Sequence, residues 1–156
     1  AFLVSNQVSE NSVNAMKKAL VAEGAVVEVI GTHGGTIKTD KNNALSVEET
    51  FLTSSSVFYD AVFVPSGEKS VKALSLEVDA LHFLNEAYKH CKAICFDIGA
   101  EKLMEKTYFG GSTSEKKSAY DPGIVTGDDK LLASKFIKAI AGHRVWEREK
   151  SREVPA

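Results

Sequence analysis

Cys95 is the residue in this sequence best placed to act as a nucleophile. It lies in Lys92–Phe96 (KAICF), which reads as a buried strand, and Gly99–Lys106 behind it reads as a helical turn or two. A cysteine that ends a strand and precedes a helix has the setting of a nucleophile elbow, where the reactive side chain sits on a strained turn. Such a turn wants small residues two before and two after the nucleophile. Ala93 meets the first requirement, and Asp97 stands where glycine is usual. A thiol with a pKa near ~8.5 becomes a useful thiolate only beside a cation or a strong donor, and the residue after Cys95 is Phe96. Burial as a small hydrophobe is the commoner fate of such a cysteine. Cys91 is expected to pack from the face of the preceding helix.

The remaining candidates are weaker. Asp97 and Glu101 stand four apart and could share a helix face, with Glu10 as a third carboxylate, but without a nearby base or cation such a set is more often a solvated face. Cys91 and Cys95 lack the further ligands that zinc needs. His33 falls in a glycine turn, and His82 and His90 on a polar helix face. His143 is placed to cap the last helix, where a partly positive imidazole suits the C-terminal dipole. Lys116 and Lys117 read as part of an exposed loop.

The whole chain bounds what these residues can belong to. Its 156 residues, 44% hydrophobic and 26% charged, suit one soluble domain with one sizeable core. A net charge of −2 builds no basic surface for nucleic acid. No apolar run approaches the roughly 20 residues of a membrane span, and no basic, apolar leader is visible. Because Ala1 lies directly inside an apolar strand pattern, the chain reads as a fragment or processed product.

The elements that must position the candidates alternate. Ala1–Ser5, Ala25–Ile30, Phe58–Val64, Lys92–Phe96 and Pro122–Thr126 read as strands. Helices are expected from Val13 to the stop at Gly24, from Val78 to Cys91, and over Asp128–Ala141, with Leu131, Leu132, Phe136, Ile137 and Ile140 inward. Thr36–Lys38 and Ala44–Val47 form a small excursion outside the main sheet. This order predicts an α/β fold: a flavodoxin-like doubly wound parallel sheet with helices on both faces, over residues 1–142. Residues 143–156 form a charged tail, with Trp146 expected to dock on the domain or on a partner. Ligands of such sheets bind at the C-terminal strand ends, here Asn6–Ser12, Pro65–Glu68 and Cys95–Gly99. Asn6–Ser12 has no glycine to wrap a flavin phosphate. A phosphate-accepting site would have Asp97 but only Glu10 in the first loop.

Ala93-Ile94-Cys95, following the strand and turn Val62-Phe63-Val64-Pro65-Ser66-Gly67, resembles the glutamine-amidotransferase-like superfamily in its PfpI-type branch of proteases, deglycases and chaperones. The resemblance implies a cysteine working with a histidine, often the next residue, and an acid just after the first strand. Here those positions hold Phe96 and, near the acid, Ser12 or Val13. Of the two glycines of the oxyanion turn, Gly67 is kept and Ser66 replaces the other. The site therefore reads as a vestige: Cys95 with Ser66 and Gly67.

Ala1–Gly24, Gly123-Ile-Val-Thr126, Phe136-Ile-Lys-Ala-Ile-Ala141 and above all His143-Arg144-Val145-Trp146-Glu147-Arg148 resemble the C-terminal domain of large-subunit haem catalases, most of all the fungal kind. That resemblance implies an accessory domain that is no enzyme by itself, binds no cofactor or metal, stabilises its parent and acts as a holdase-like chaperone. Haem and peroxide chemistry would belong to the parent. The implied partners are the rest of a homotetrameric catalase and unfolded client proteins, with neither nucleic acid nor membrane. A secreted parent is compatible with the resemblance, and the compartment is unassigned. The alternatives are a cysteine-dependent hydrolase or deglycase, and a peroxide-responsive thiol at Cys95.

Overall fold

A computed structural model describes residues 1–110, 121–127 and 131–150. The loop expected over Tyr108–Ala119, with Lys116 and Lys117, falls mostly outside the described residues. So do the first three residues of the Asp128–Ala141 helix and the end of the tail.

Six strands form a parallel sheet: β1 (Phe2–Val4), β2 (Val29–Gly31), β5 (Glu49–Thr50), β6 (Ala61–Val64), β7 (Ala93–Asp97) and β8 (Ile124–Gly127). Their order is β5-β2-β1-β6-β7-β8. Without the two-residue edge strand β5, this is second, first, third, fourth, fifth, the flavodoxin-like arrangement. β3 (Gly35–Lys38) and β4 (Ala44–Val47) pair antiparallel in a separate hairpin, the expected excursion.

The central strands are short unbroken apolar runs because both faces are covered. Phe2, Val4, Phe63, Ala93 and Cys95 face α1 (Glu10–Ala22) and α4 (Leu132–Ala141) through Val13, Met16, Leu20, Leu132 and Phe136. Leu3, Val62, Val64, Ile94 and Phe96 point the other way, onto α2 (Glu68–Leu74), α3 (Val78–Lys89) and a 3-10 helix over Ala100–Lys106. On the first face Phe2 and Phe63 meet edge to face at 4.9 Å. Ser9 caps α1, its hydroxyl accepting from the Ser12 amide, and Gly24 (φ 83°) takes the left-handed position past the helix end.

Several expected boundaries change. Ala25–Val27 runs outside the sheet, because the bonding to β1 begins only at the Glu28 carbonyl, which accepts from the Phe2 amide (2.8 Å), with Val29–Gly31 in register beyond it. Ser56–Phe58 is a 3-10 turn before β6 instead of the start of the strand. The helix expected from Val78 to Cys91 ends at Lys89, and Cys91 takes a left-handed conformation (φ 58°) after it. Val78 is 74% exposed and Leu131 59% exposed, so neither faces inward. A short helix, α5 (Glu147–Lys150), lies in the tail.

Candidate functional site

The strand order reverses between β1 and β6, so the crevice of this sheet should open between the loops that follow them. The chain itself fills that place. A Cβ on Gly67 (φ 128°) would lie 2.8 Å from Gln7 O and 2.9 Å from Ser9 N, so the first loop rests directly on the turn after β6. The Ser9 amide donates to Ser66 O (2.8 Å), and the Ser5 amide to Ser70 Oγ (2.9 Å). The Ser66 amide donates to Ser12 Oγ (3.2 Å), whose hydroxyl in turn donates to Asp97 Oδ2. Serines on α1 and α2 thus bind the ends of β1, β6 and β7 together. The Ser66 amide, which an oxyanion hole would aim at developing charge, is already satisfied inside the protein.

Cys95 does not end its strand. It pairs with Phe63 and Val125 in the middle, and Phe96 and Asp97 continue β7 beyond it. The left-handed residue of the turn into the 3-10 helix is Gly99 (φ 77°), which has no side chain to present. The elbow exists as backbone, but its strained position carries no nucleophile. Burial, and then the Asp97 carboxylate, push the Cys95 thiol well above its usual range. The side chain is 0% exposed, so it is held as a neutral thiol away from solvent.

The carboxylates part company. Glu10 Oε2 accepts from Asn43 Nδ2 (2.8 Å) and Thr39 Oγ1 (2.9 Å), which ties α1 to the β3–β4 hairpin and away from Cys95. Those donors, Asn43 first, hold its carboxyl below the usual range. Asp97 lies in β7 and Glu101 in the 3-10 helix, so they share no helix face. His33, His82, His90 and His143 are all exposed and lie on a turn, a helix and the tail. His143 takes a left-handed conformation past α4, and its backbone amide, not its ring, donates to Ile140 O (2.8 Å). Among the described residues no group of three or more His, Cys, Asp or Glu could hold a metal, and no helix is long and apolar enough to cross a membrane.

The N-terminal edge of the sheet holds a second cluster, whose partners the sequence does not announce. Arg148, 7% exposed, donates from Nε and Nη2 to the two Asp121 carboxylate oxygens, both at 2.8 Å, and from Nη1 to Lys92 O (2.8 Å). Its guanidinium stacks 4.2 Å from the Tyr88 ring centroid, and Tyr88 stacks on Phe109 at 4.4 Å. Two residues before α5, the Val145 amide donates to Cys91 O (2.7 Å). Arg144 reaches Asp60 O (3.5 Å) and Oδ1 (3.6 Å). Beneath them Lys92, 2% exposed, donates through Nζ to Ser56 O and to Tyr59 O (2.6 Å). Burial, and then Arg144, lower its pKa to about 8. The signal for this cluster was the Arg-Val-Trp-Glu-Arg spacing, but nothing in the sequence named Asp121 as the acceptor. Trp146 stays 62% exposed on this clamped segment and does not dock on the domain.

The architecture is that of DJ-1/PfpI-like proteins. Drosophila melanogaster DJ-1beta superposes with a TM-score of 0.73 at 16% identity, over 99% of this chain and 97% of that one. Residues 1–150 match the family model described as the C-terminal domain found in long catalases, and the chain belongs to that family. Catalase HPII of Pseudomonas putida is 37% identical over the full chain, and that of Pseudomonas aeruginosa 33%. A fungal relative, Catalase-1 of Neurospora crassa, is 26% identical over 96% of the chain. The chain spans only 20% of the Pseudomonas putida protein, 21% of the Pseudomonas aeruginosa one and 23% of the Neurospora one.

Proposed function

We propose that this domain is a non-catalytic accessory part of a larger haem catalase, where it stabilises the enzyme and holds unfolded chains. The observation that carries the first half is the closed switch-point crevice: Gly67 lies against the first loop, and Ser12 occupies the Ser66 amide and Asp97. A substrate would have to break these bonds before meeting anything, and the thiol below is buried and neutral. Haem, peroxide and the homotetrameric assembly belong to the preceding part of the parent, in line with the relatives' length. A holdase role would draw on exposed apolar side chains, which this domain has on both edges of its sheet.

The test compares the full-length parent with a version ending before Ala1. Equal initial rates of peroxide consumption and faster loss of activity on heating are expected. Equal heat-inactivation rates would remove the stabilising role. Light scattering from a heated client, with the full-length or the shortened protein added, reads the second role. Equal suppression by both would assign the holdase effect elsewhere.

A further inference from the structure

Trp146 is an exposed aromatic on a backbone fixed on both sides. Arg144 holds Asp60, the Val145 amide holds Cys91 O, and Arg148 is buried against Asp121, Lys92 and Tyr88. A tryptophan 62% open to water is costly to present, and one that is already ordered loses little entropy on docking. Tryptophan is among the residue types enriched where interfaces gain most of their binding energy.

The same edge bears further apolar side chains. Phe58 is 76% exposed and Val57 55%, between Ser56 and Tyr59, whose carbonyls hold Lys92. Val26 is 87% exposed, two residues before Glu28, whose carbonyl accepts from the Phe2 amide. Ala1 enters the sheet here, its carbonyl accepting from the Phe63 amide (2.8 Å). In a domain that is C-terminal within much longer catalases, the preceding part of the chain arrives at this edge.

We infer that Trp146, Phe58, Val57 and Val26 form the docking face on which this domain seats against the preceding part of its own parent chain. This rests on the accessory-domain reading. Leu76 (78%), Val78 (74%) and Ile98 (55%) are also exposed, but they come after β6 and β7, whereas Ala1 enters at the start of β1. The occupant committed to is therefore an apolar patch of the preceding domain, entered through the link to Ala1.

Hydroxyl-radical footprinting of the full-length protein tests it, read peptide by peptide. The expected result is loss of labelling at Trp146 and Phe58 with full labelling at Leu76 and Val78. Phe58→Glu in the full-length protein should restore labelling of Trp146, and Leu76→Glu should not. Phe58 is mostly exposed, so its replacement leaves the fold intact. Full labelling of Trp146 in the intact protein overturns the docking face. Protection that vanishes on dilution overturns it in favour of a second copy. Protection at Leu76 and Val78 instead moves the interface to the other edge. The heat-inactivation comparison above is independent of all three outcomes, so a failed face and a failed accessory role are told apart.

Discussion

The two ends of the central sheet have exchanged the roles that their fold would assign them. At the C-terminal ends of β1, β6 and β7, where doubly wound domains keep their chemistry, the side chains are short hydroxyls that bond inward. At the N-terminal ends, usually left to packing, lie a buried lysine, a buried arginine and a tryptophan held out to solvent. A crevice can be lost by small changes, since a serine in place of an acid both removes charge and caps a free amide. Burying cations needs a full set of acceptors, which here come from Asp121, Asp60 and four backbone carbonyls, those of Ser56, Tyr59, Asp60 and Lys92. The first end is closed by its own loops and hydroxyls, and the second is built around buried cations.

The largest effect should come from breaking the built end. Arg148→Ala takes the guanidinium from Lys92 O and from the Asp121 carboxylate, which keeps the Gly123 amide (2.9 Å) and Tyr88, and should cost the domain about 3 kcal/mol or more. Chemical denaturation checks this, and a loss under about 1 kcal/mol would show that the clamp is ornamental. Next comes the closed end. Gly67→Ala puts a Cβ within 3 Å of the first loop's backbone at a left-handed φ, and roughly 2–3 kcal/mol should be lost. A neutral outcome would mean that the first loop moves freely and that the crevice can open.

Lys92 gives a pH signature to only one of the two ends. Its folded pKa of about 8 lies below the ordinary 10.5, so the folded state releases this proton first. Between those values the unfolded chain binds more protons, and this group's contribution to stability rises with pH. Below pH 8 the full penalty of burying the charge is present. Lys92→Met should remove that rise when wild type and variant are compared from pH 7.5 to 10. Cys95, whose thiol is raised, acts in the opposite sense above its ordinary pKa, and the difference between the two proteins cancels it. The smallest effect belongs to Ser12→Ala, which removes one acceptor and one donor for about 1 kcal/mol. Alkylation of native Cys95 should stay slow in that variant, and fast alkylation would show that Ser12 guards a reactive thiol.

Fold class was legible because the pattern was strong: β1, β6 and β7 are apolar runs between turn residues, and their order with the helices admits few topologies. Strand ends were not, because hydrophobicity continues past them. KAICF looks finished at Phe96, yet Asp97 still pairs with Gly127. That single residue moved Cys95 from an elbow to mid-strand. α2 escaped notice because its buried side, Ser70, Val71 and Leu74, is too brief for helical period to show. That Phe96 and Ser12 stand where the PfpI-type pattern has its histidine and acid was visible in the sequence. The bonding found there was not, since the bond from Ser12 to Asp97 joins residues 85 apart.

Arg144, Val145 and Arg148 come later in the chain than everything they grip. During synthesis the six strands and α1 to α4 leave the ribosome before the latch does. The N-terminal edge, with Lys92 and its carbonyls, therefore waits unclamped until residues 144–148 emerge, whereas the serine stitching at the other edge is complete once β7 is made. The tail works as a late seal, and a chain stopped before Arg144 would yield a folded sheet with one open seam.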